Sequence, residues 1–169
     1  MITELKYTVG FLTFAEDILL LLRNNAPNAG KWNGIGGHIE VGESAYQCMQ
    51  REIMEEANIP VAEMAFGGIL TWDGFEIPPG GLYIFSAAAA HRQFVENGEG
   101  TLAWHSRQFA FNSTEVVDNI HIFLPPVLAG ATPLHYHFVY DDGLMAARRI
   151  STLPAWVDIY RPYIPGDEG

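Results

Sequence analysis

The segment 36–59 combines a glycine-rich turn with a helix whose two ends are marked in the sequence, and it constrains the fold more than any other stretch. Ser44 can accept a hydrogen bond from a free amide of the first helical turn, and the glutamine three residues later completes a capping-box pattern. Asn58 tolerates the left-handed conformation that often ends a helix, and Pro60 prevents its continuation. These signals predict a helix over residues 44–57.

Acidic residues gather on this predicted helix, where Glu52, Glu55 and Glu56 follow Arg51. At about 100° per residue, Glu56 lies about 40° round the helix from Glu52 and Glu55 about 60° on the other side, so the carboxylates share one edge. Like charges about 4 Å apart repel by about 4 kcal/mol, which water, shifted pKa values or a cation must relieve. Oxygen ligands suit Mg²⁺ or Mn²⁺ better than zinc. A solvated face with an Arg51–Glu55 ion pair also explains these acids.

A glycine-rich loop before the helix lets the backbone approach a ligand closely. The loop and helix together resemble the signature of the Nudix hydrolases, with these matching positions: Gly37, Glu43, Arg51, Glu52, Ile53, Glu55, Glu56 and Ile59. The one departure is Asn58, where the family usually has glycine, and asparagine is the next best residue for a left-handed helix end. The stretches 31–37, 99–104 and 111–125 also resemble Nudix enzymes that hydrolyse oxidised purine nucleoside triphosphates.

The resemblance implies an α+β fold, namely a Nudix-type α/β/α sandwich with a mixed β-sheet and a loop–helix–loop motif. Propensity alone predicts only an α+β or α/β mixture. We expect a single domain over residues 1–169, with the signature at 37–59 and a C-terminal tail from about residue 153 that packs in pieces on the body.

Strand patterns occur at 7–14, 18–23, 64–72, 82–90, 102–106, 134–140 and 144–150. We expect 7–14 and 18–23 to form a hairpin, 82–90 to be a central strand, and the Asp141–Gly143 turn to join the last two strands. A helix cap is predicted at Asn112, Ser113 or Thr114, with a helix through Phe123 that ends at the proline pair 125–126 and a short further turn up to residue 128.

The resemblance implies a divalent-metal cluster made by the Gly36 carbonyl, Glu52, Glu55, Glu56 and an acid from a later loop, for which Glu99 is preferred to Glu96. Mg²⁺ is the expected cofactor, and Mn²⁺ is a substitute. Catalytic roles are expected for Glu52, Glu55, Arg51 and Glu43. Glu52 serves equally well as a metal ligand or as the base acting on water.

Arg51 and Glu43 are expected to pair and to hold the loop against the helix, rather than Arg51 touching phosphate. The candidates for binding the substrate are Asn33, Gly37, His38, Asn119 and Asp118. An amide can both donate to and accept from a purine edge. If it does not bind the base, Asn33 is a turn residue. In the same case Asn119 is a helix cap or a surface residue. Asp118 is an alternative residue for reading the base. His135 and His137 alternate on a strand and are assigned no metal role.

A net charge of −11 argues against sequence-independent binding to nucleic acid polymers, which requires Lys and Arg to neutralise phosphates. The single cysteine, Cys48, permits no disulfide within the chain and suits a reducing cytoplasm, where we expect the protein to act as a monomer or homodimer. The apolar run 18–22 is far too short for a membrane span, and residues 1–9 lack an apolar signal core.

The resemblance implies a Mg²⁺-dependent pyrophosphohydrolase of purine nucleoside triphosphates, with an oxidised purine such as 8-oxo-dGTP as the expected substrate. A hydrolase of ADP-ribose or of another dinucleotide or sugar nucleotide shares the same chemistry. A nucleotide-sensing domain without catalysis is the alternative from another class, but such domains tolerate loss of the acids that are present here.

Overall fold

A computed structural model describes residues 5–96 and 98–166. Nine strands of one sheet and three helices occur in these residues, which confirms the α+β class. In chain order the elements are β1 Leu5–Phe14, β2 Asp17–Arg23, β3 Trp32–Asn33, β4 Ile35–His38, α1 Ala45–Ala57, β5 Ala65–Asp73, β6 Gly80–Ala88, β7 Gly100–Ser106, α2 Arg107–Asn112, α3 Ile120–Leu128, β8 Leu134–Asp141 and β9 Leu144–Thr152. Of the helices in the described ranges, none has the length and apolar character needed to cross a membrane.

The sheet is mixed, as predicted. Its main strand order is β3-β2-β1-β6-β5-β8-β9, with β4 paired to β1 and β7 paired to β2. The β1–β6 and β5–β8 pairs are parallel, whereas the other pairs are antiparallel. The first half of β1 pairs with β4 and its second half with β2, so the glycine-rich β4 lies directly beside the centre of the sheet.

The central strands are buried on both faces because successive side chains point to opposite sides of the sheet. In β1, Phe11 belongs to the apolar cluster on the α2 and α3 side, and Leu12 belongs to the cluster under α1. In β6, Ile84 and Phe85 divide in the same way. The sheet is therefore covered by helices on both sides, which is the sandwich that the resemblance implied.

Most of the predicted strands are confirmed within two residues at each end, including the β1–β2 hairpin and the central β6. The hairpin between β8 and β9 turns at Asp142 and Gly143, whose φ angles are 52° and 77°. A two-residue hairpin turn of this kind requires positive φ at both central positions. The hairpin turn predicted from the Asp-Gly step is therefore confirmed.

The predicted helix cap at Asn112, Ser113 or Thr114 is wrong. Helix α2 begins earlier, because the Ser106 hydroxyl accepts a hydrogen bond from the Phe109 amide, and Ser113 is its C-terminal cap.

Helix α3 starts at Ile120 and continues through Pro125 and Pro126, contrary to the predicted stop, and it ends at Leu128, as predicted for the further turn. The proline carbonyls accept hydrogen bonds from the amides of Ala129 and Ala131 at 3.1 and 3.0 Å. Phe123 and Leu124 before the proline pair and Val127 after it are all buried against the sheet. Tertiary packing on both sides of the pair therefore keeps the segment helical.

Candidate active site

The short strand β4 brings backbone close to helix α1 because two of its residues lack side chains. Gly36 pairs with Val9 and Gly37 with Thr8. A Cβ atom at position 36 would collide with the Thr8 carbonyl group, and one at position 37 would collide with the Glu52 carboxylate. Glycine at both positions therefore permits close approach of strand and helix, whereas the close approach to a ligand that the sequence indicated stays a prediction.

Helix α1 has both of its predicted ends. The Ser44 hydroxyl accepts from the Gln47 amide at 3.1 Å, and the Gln47 side-chain oxygen accepts from the Ser44 amide at 3.0 Å. Asn58 has a φ of 54°, and its amide donates to the Met54 carbonyl at 3.1 Å. These caps set the rotation of the helix, and hence the direction in which each acid points.

The acids of α1 do not share one environment. Glu56 is 3% exposed and Glu52 is 8% exposed, whereas the Glu55 side chain is 55% exposed. Glu56 Oε2 is buried and has no hydrogen-bond partner among the residues that the structure describes. Burial raises the pKa of Glu56 to about 9, reinforced by a hydrogen bond with Glu99 and by the charge of Glu52. Burial also raises the pKa of Glu52, although Arg51 opposes that shift.

Arg51 stands at the centre of an ion-pair network. Its Nε and Nη2 donate to the two Glu43 carboxylate oxygens at 2.8 and 3.0 Å, which forms the expected pair. Its Nη1 donates to Glu52 at 3.0 Å and to Glu55 at 3.1 Å, and its Nη2 also donates to the His38 carbonyl at 3.1 Å. The guanidinium hydrogen bonds hold the pKa of Glu43 below its usual value.

In this structure the predicted metal ligands do not form one converged cluster. Within residues 5–96 and 98–166, no group of three or more His, Cys, Asp or Glu side chains stands close enough together to hold an ion. The helical-wheel argument placed Glu55 beside Glu52 and Glu56, but Glu55 pairs with Arg51 at the surface. Glu99, by contrast, lies beside Glu56, and a hydrogen bond from the Gly36 backbone reaches the Glu56 carboxylate. Oxygen donors around Glu56 Oε2, which is buried and lacks a partner within residues 5–96 and 98–166, fit a hard divalent cation.

A cavity of about 250 Å³ opens on the other side of β4. Four of the five predicted substrate-binding residues line it, namely Asn33, Gly37, His38 and Asn119. Asp118 reaches this cavity through Tyr140, because its Oδ1 accepts from the tyrosine hydroxyl at 2.9 Å.

The side chain of Asn119 does not cap helix α3. Its Nδ2 donates instead to the Tyr140 hydroxyl at 3.2 Å. Asn33 stabilises the turn, which is the alternative that the sequence left open: its Oδ1 accepts a hydrogen bond from the Gly34 amide at 2.8 Å. The residue also lines the cavity. His135 and His137 face one side of the sheet, and each ring lies 2.7 Å from the Thr71 hydroxyl.

Sequence reasoning missed the aromatic residues of the cavity wall. Tyr7, Trp72, Phe75 and Tyr140 all line the cavity. Trp72 belongs to the apolar core, and Tyr140 ends an alternating run on β8 whose earlier members are core residues. The sequence signal for Tyr140 was its position at the end of an alternating strand. That the ends of β5 and β8 lie side by side is shown only by the pairing of these two strands.

Comparison with known proteins agrees with this architecture. A family model described as the NUDIX domain matches residues 4–129. An oxidized purine nucleoside triphosphate hydrolase of Mus musculus is 29% identical over 105 residues, which are 62% of this chain and 67% of that protein. An NAD-capped RNA hydrolase NudC of Pseudomonas syringae pv. syringae is 34% identical over 56 residues, but these are 33% of this chain and only 20% of that protein.

Among solved structures, a MutT protein of Bacillus halodurans has a TM-score of 0.70 at 25% identity and covers 85% of this chain and 95% of its own. The NUDIX domain of Shewanella oneidensis NrtR, complexed with ADP ribose, has a TM-score of 0.65 at 15% identity, with coverages of 78% and 91%. The sandwich fold and the glycine strand against an acidic helix define an enzyme that hydrolyses phosphoanhydride bonds. The chain belongs to the Nudix family, whose domain spans most of its length.

Proposed function

We propose that this chain is a Mg²⁺-dependent pyrophosphohydrolase of nucleoside triphosphates that prefers an oxidised purine nucleotide such as 8-oxo-dGTP. It releases the nucleoside monophosphate and pyrophosphate, and it clears damaged nucleotides from the cytoplasmic pool. Mn²⁺ is expected to replace Mg²⁺.

The position of β4 between the cavity and the acids carries this proposal. Gly36 and Gly37 line the cavity on one side of the strand. On the other side, Gly37 lies against the Glu52 carboxylate and the Gly36 backbone hydrogen-bonds Glu56. A nucleotide whose base enters the cavity therefore extends its phosphates along β4 toward the acids.

The proposed metal ligands are the Gly36 carbonyl, Glu52, Glu55, Glu56 and Glu99. When bound, a divalent ion neutralises the repulsion between phosphates and carboxylates, polarises phosphoryl oxygens and lowers the pKa of bound water. Glu55 joins the ligands by leaving Arg51, which stays paired to Glu43. Glu52 lies against the glycine strand that faces the phosphates, so it either holds the ion or accepts the proton of the attacking water.

The base is recognised by two amides in an aromatic cavity. Asn119 donates one amide hydrogen to Tyr140, which fixes its orientation and leaves its oxygen and other hydrogen for a purine edge. Asn33 uses its oxygen locally and keeps its NH₂ group for the base. Trp72 and Phe75 supply apolar contact with the ring system. Similarity to the mouse oxidized purine nucleoside triphosphate hydrolase favours this substrate class.

A substrate panel tests the proposal. Purified protein is incubated with dGTP, 8-oxo-dGTP, dATP, dCTP, ADP-ribose and NADH, with Mg²⁺ or with EDTA, and the products are identified by ³¹P NMR. We expect the highest kcat/KM for 8-oxo-dGTP, with pyrophosphate released and no turnover in EDTA. Faster turnover of ADP-ribose or NADH would replace the substrate assignment, and binding without turnover would favour a nucleotide sensor.

A further inference from the structure

The C-terminal segment that follows β9 returns to the signature loop and is bonded to it. The Tyr163 amide donates to the Glu43 carbonyl at 2.9 Å, and the Tyr163 carbonyl accepts from the Gly42 amide at 2.8 Å. The family match ends at residue 129, so Tyr163 lies outside the matched region, whereas the loop that it contacts lies inside it. In the loop that Tyr163 contacts, Val41 is exposed and Gly42 has a φ of 85°.

A third backbone bond joins this segment to helix α1. The Ile159 carbonyl accepts from the Tyr46 amide at 3.0 Å. Tyr46 is the second residue of α1, so its amide is one of those without a partner inside the helix. The Ser44 hydroxyl satisfies the next amide. The C-terminal segment therefore completes the capping of the helix that carries the acids.

Side-chain packing accompanies these bonds. Ile159 and Tyr163 pack on the apolar cluster beneath α1, and the Tyr160 ring lies 5.4 Å from the Tyr46 ring. The segment is thus anchored by its own side chains while its backbone holds the loop.

Glu43 transmits this contact to the acids. Its backbone is bonded to Tyr163, and its carboxylate holds Arg51 by two hydrogen bonds. Arg51 in turn donates to Glu52. We propose that residues 159–163 are a positioning element for hydrolysis, which holds the Glu43 loop so that Arg51 and Glu52 keep their catalytic placement. This inference rests on the proposed roles of those residues.

Two proline variants test it. Tyr163→Pro removes the amide that donates to Glu43. Ala155→Pro is the matched control, because Ala155 is exposed and occupies the second position of the turn closed by the Val157 amide and the Pro154 carbonyl, where proline is favoured. We expect Tyr163→Pro to lower kcat by about tenfold or more with KM within about twofold, because a small misplacement of catalytic groups is costly while the base cavity is not touched. The control keeps the wild-type kcat.

A kcat for Tyr163→Pro equal to that of Ala155→Pro, measured well below the melting temperature, would overturn the proposal and leave only a structural role. Failure of the proposed function is a separate result, because it appears in the wild-type protein as absent turnover of triphosphates. The two variants are then compared on whichever nucleotide of the panel is hydrolysed.

Amide exchange in the unaltered protein gives a second test that needs no variant to fold. Binding and positioning are reciprocally linked, so a ligand that requires the placed loop must also tighten the segment. We expect exchange at Gly42, Tyr46 and Tyr163 to slow when Mg²⁺ and a GTP analogue with an imido bridge between the α and β phosphates are added. Unchanged exchange at these amides, with slowing elsewhere in the site, would contradict the proposal.

Discussion

Replacing Glu56 by glutamine should change how stability depends on pH in the metal-free protein. The folded-state pKa of Glu56, about 9, lies above its ordinary value of 4.5 because the carboxyl is buried and faces Glu99 and Glu52. The folded protein therefore keeps a proton that the unfolded chain releases. The favourable contribution is fully present below pH 4.5 and is lost progressively as the pH rises toward 9.

The size of this effect follows from the linkage. Each pH unit over which one state holds a proton and the other does not changes the free energy of unfolding by about 1.4 kcal/mol. Between pH 6 and pH 8 the wild-type protein should lose up to about 3 kcal/mol through Glu56. Glu56→Gln keeps the shape of the side chain but cannot titrate, so this part of the slope disappears.

Urea denaturation in EDTA at pH 6, 7 and 8 measures the free energy of unfolding for wild type, Glu56→Gln and the control Glu55→Gln. Burial lowers the pKa of His105 and His135, so at acid pH these histidines make the free energy of unfolding rise with pH. All three proteins share this contribution, and it cancels when their free energies of unfolding are compared. Glu55→Gln is the control because it removes a carboxylate from the same helix at a half-exposed position. Parallel slopes for wild type and Glu56→Gln would refute the assigned burial and protonation of Glu56.

Four further predictions concern activity and the ion pairs. Glu56→Gln should abolish Mg²⁺-dependent turnover while the circular dichroism spectrum is unchanged; normal kinetics would remove Glu56 from the metal site. Asn119→Ala should raise KM for the preferred purine nucleotide more than it lowers turnover of a generic triphosphate, and equal effects on all nucleotides would show that it does not read the base. Gly37→Ala should lower kcat by about tenfold or more, because a methyl group displaces the Glu52 carboxylate. A wild-type kcat would mean that catalysis does not need the close contact between Gly37 and Glu52. Glu43→Gln should cost about 1 kcal/mol of stability, since Arg51 keeps other partners in a partly exposed network; chemical denaturation measures this loss, and an unchanged midpoint would make the pair dispensable.

Local sequence rules were sufficient for the helix of the signature and for the last hairpin. Ser44 and Asn58 form the caps of α1 as predicted, and Asp142 and Gly143 adopt the positive φ angles that their turn requires. Such features depend on a few neighbouring residues, so propensity and capping determine them. The same rules failed at Pro125 and Pro126, where packing of α3 on the sheet outweighs the missing amides.

By itself, the sequence determined which residue types stand in the glycine loop and on the acidic helix, and so it determined the family and the class of chemistry. Only the tertiary structure decided which acids are buried and which residues complete the cavity. Glu56 is buried while Glu55 pairs with Arg51 at the surface, although both lie on one helix edge in projection. Tyr140 meets Asn119 because β8 pairs with β5, and a contact between distant residues depends on long-range pairing that no local pattern encodes.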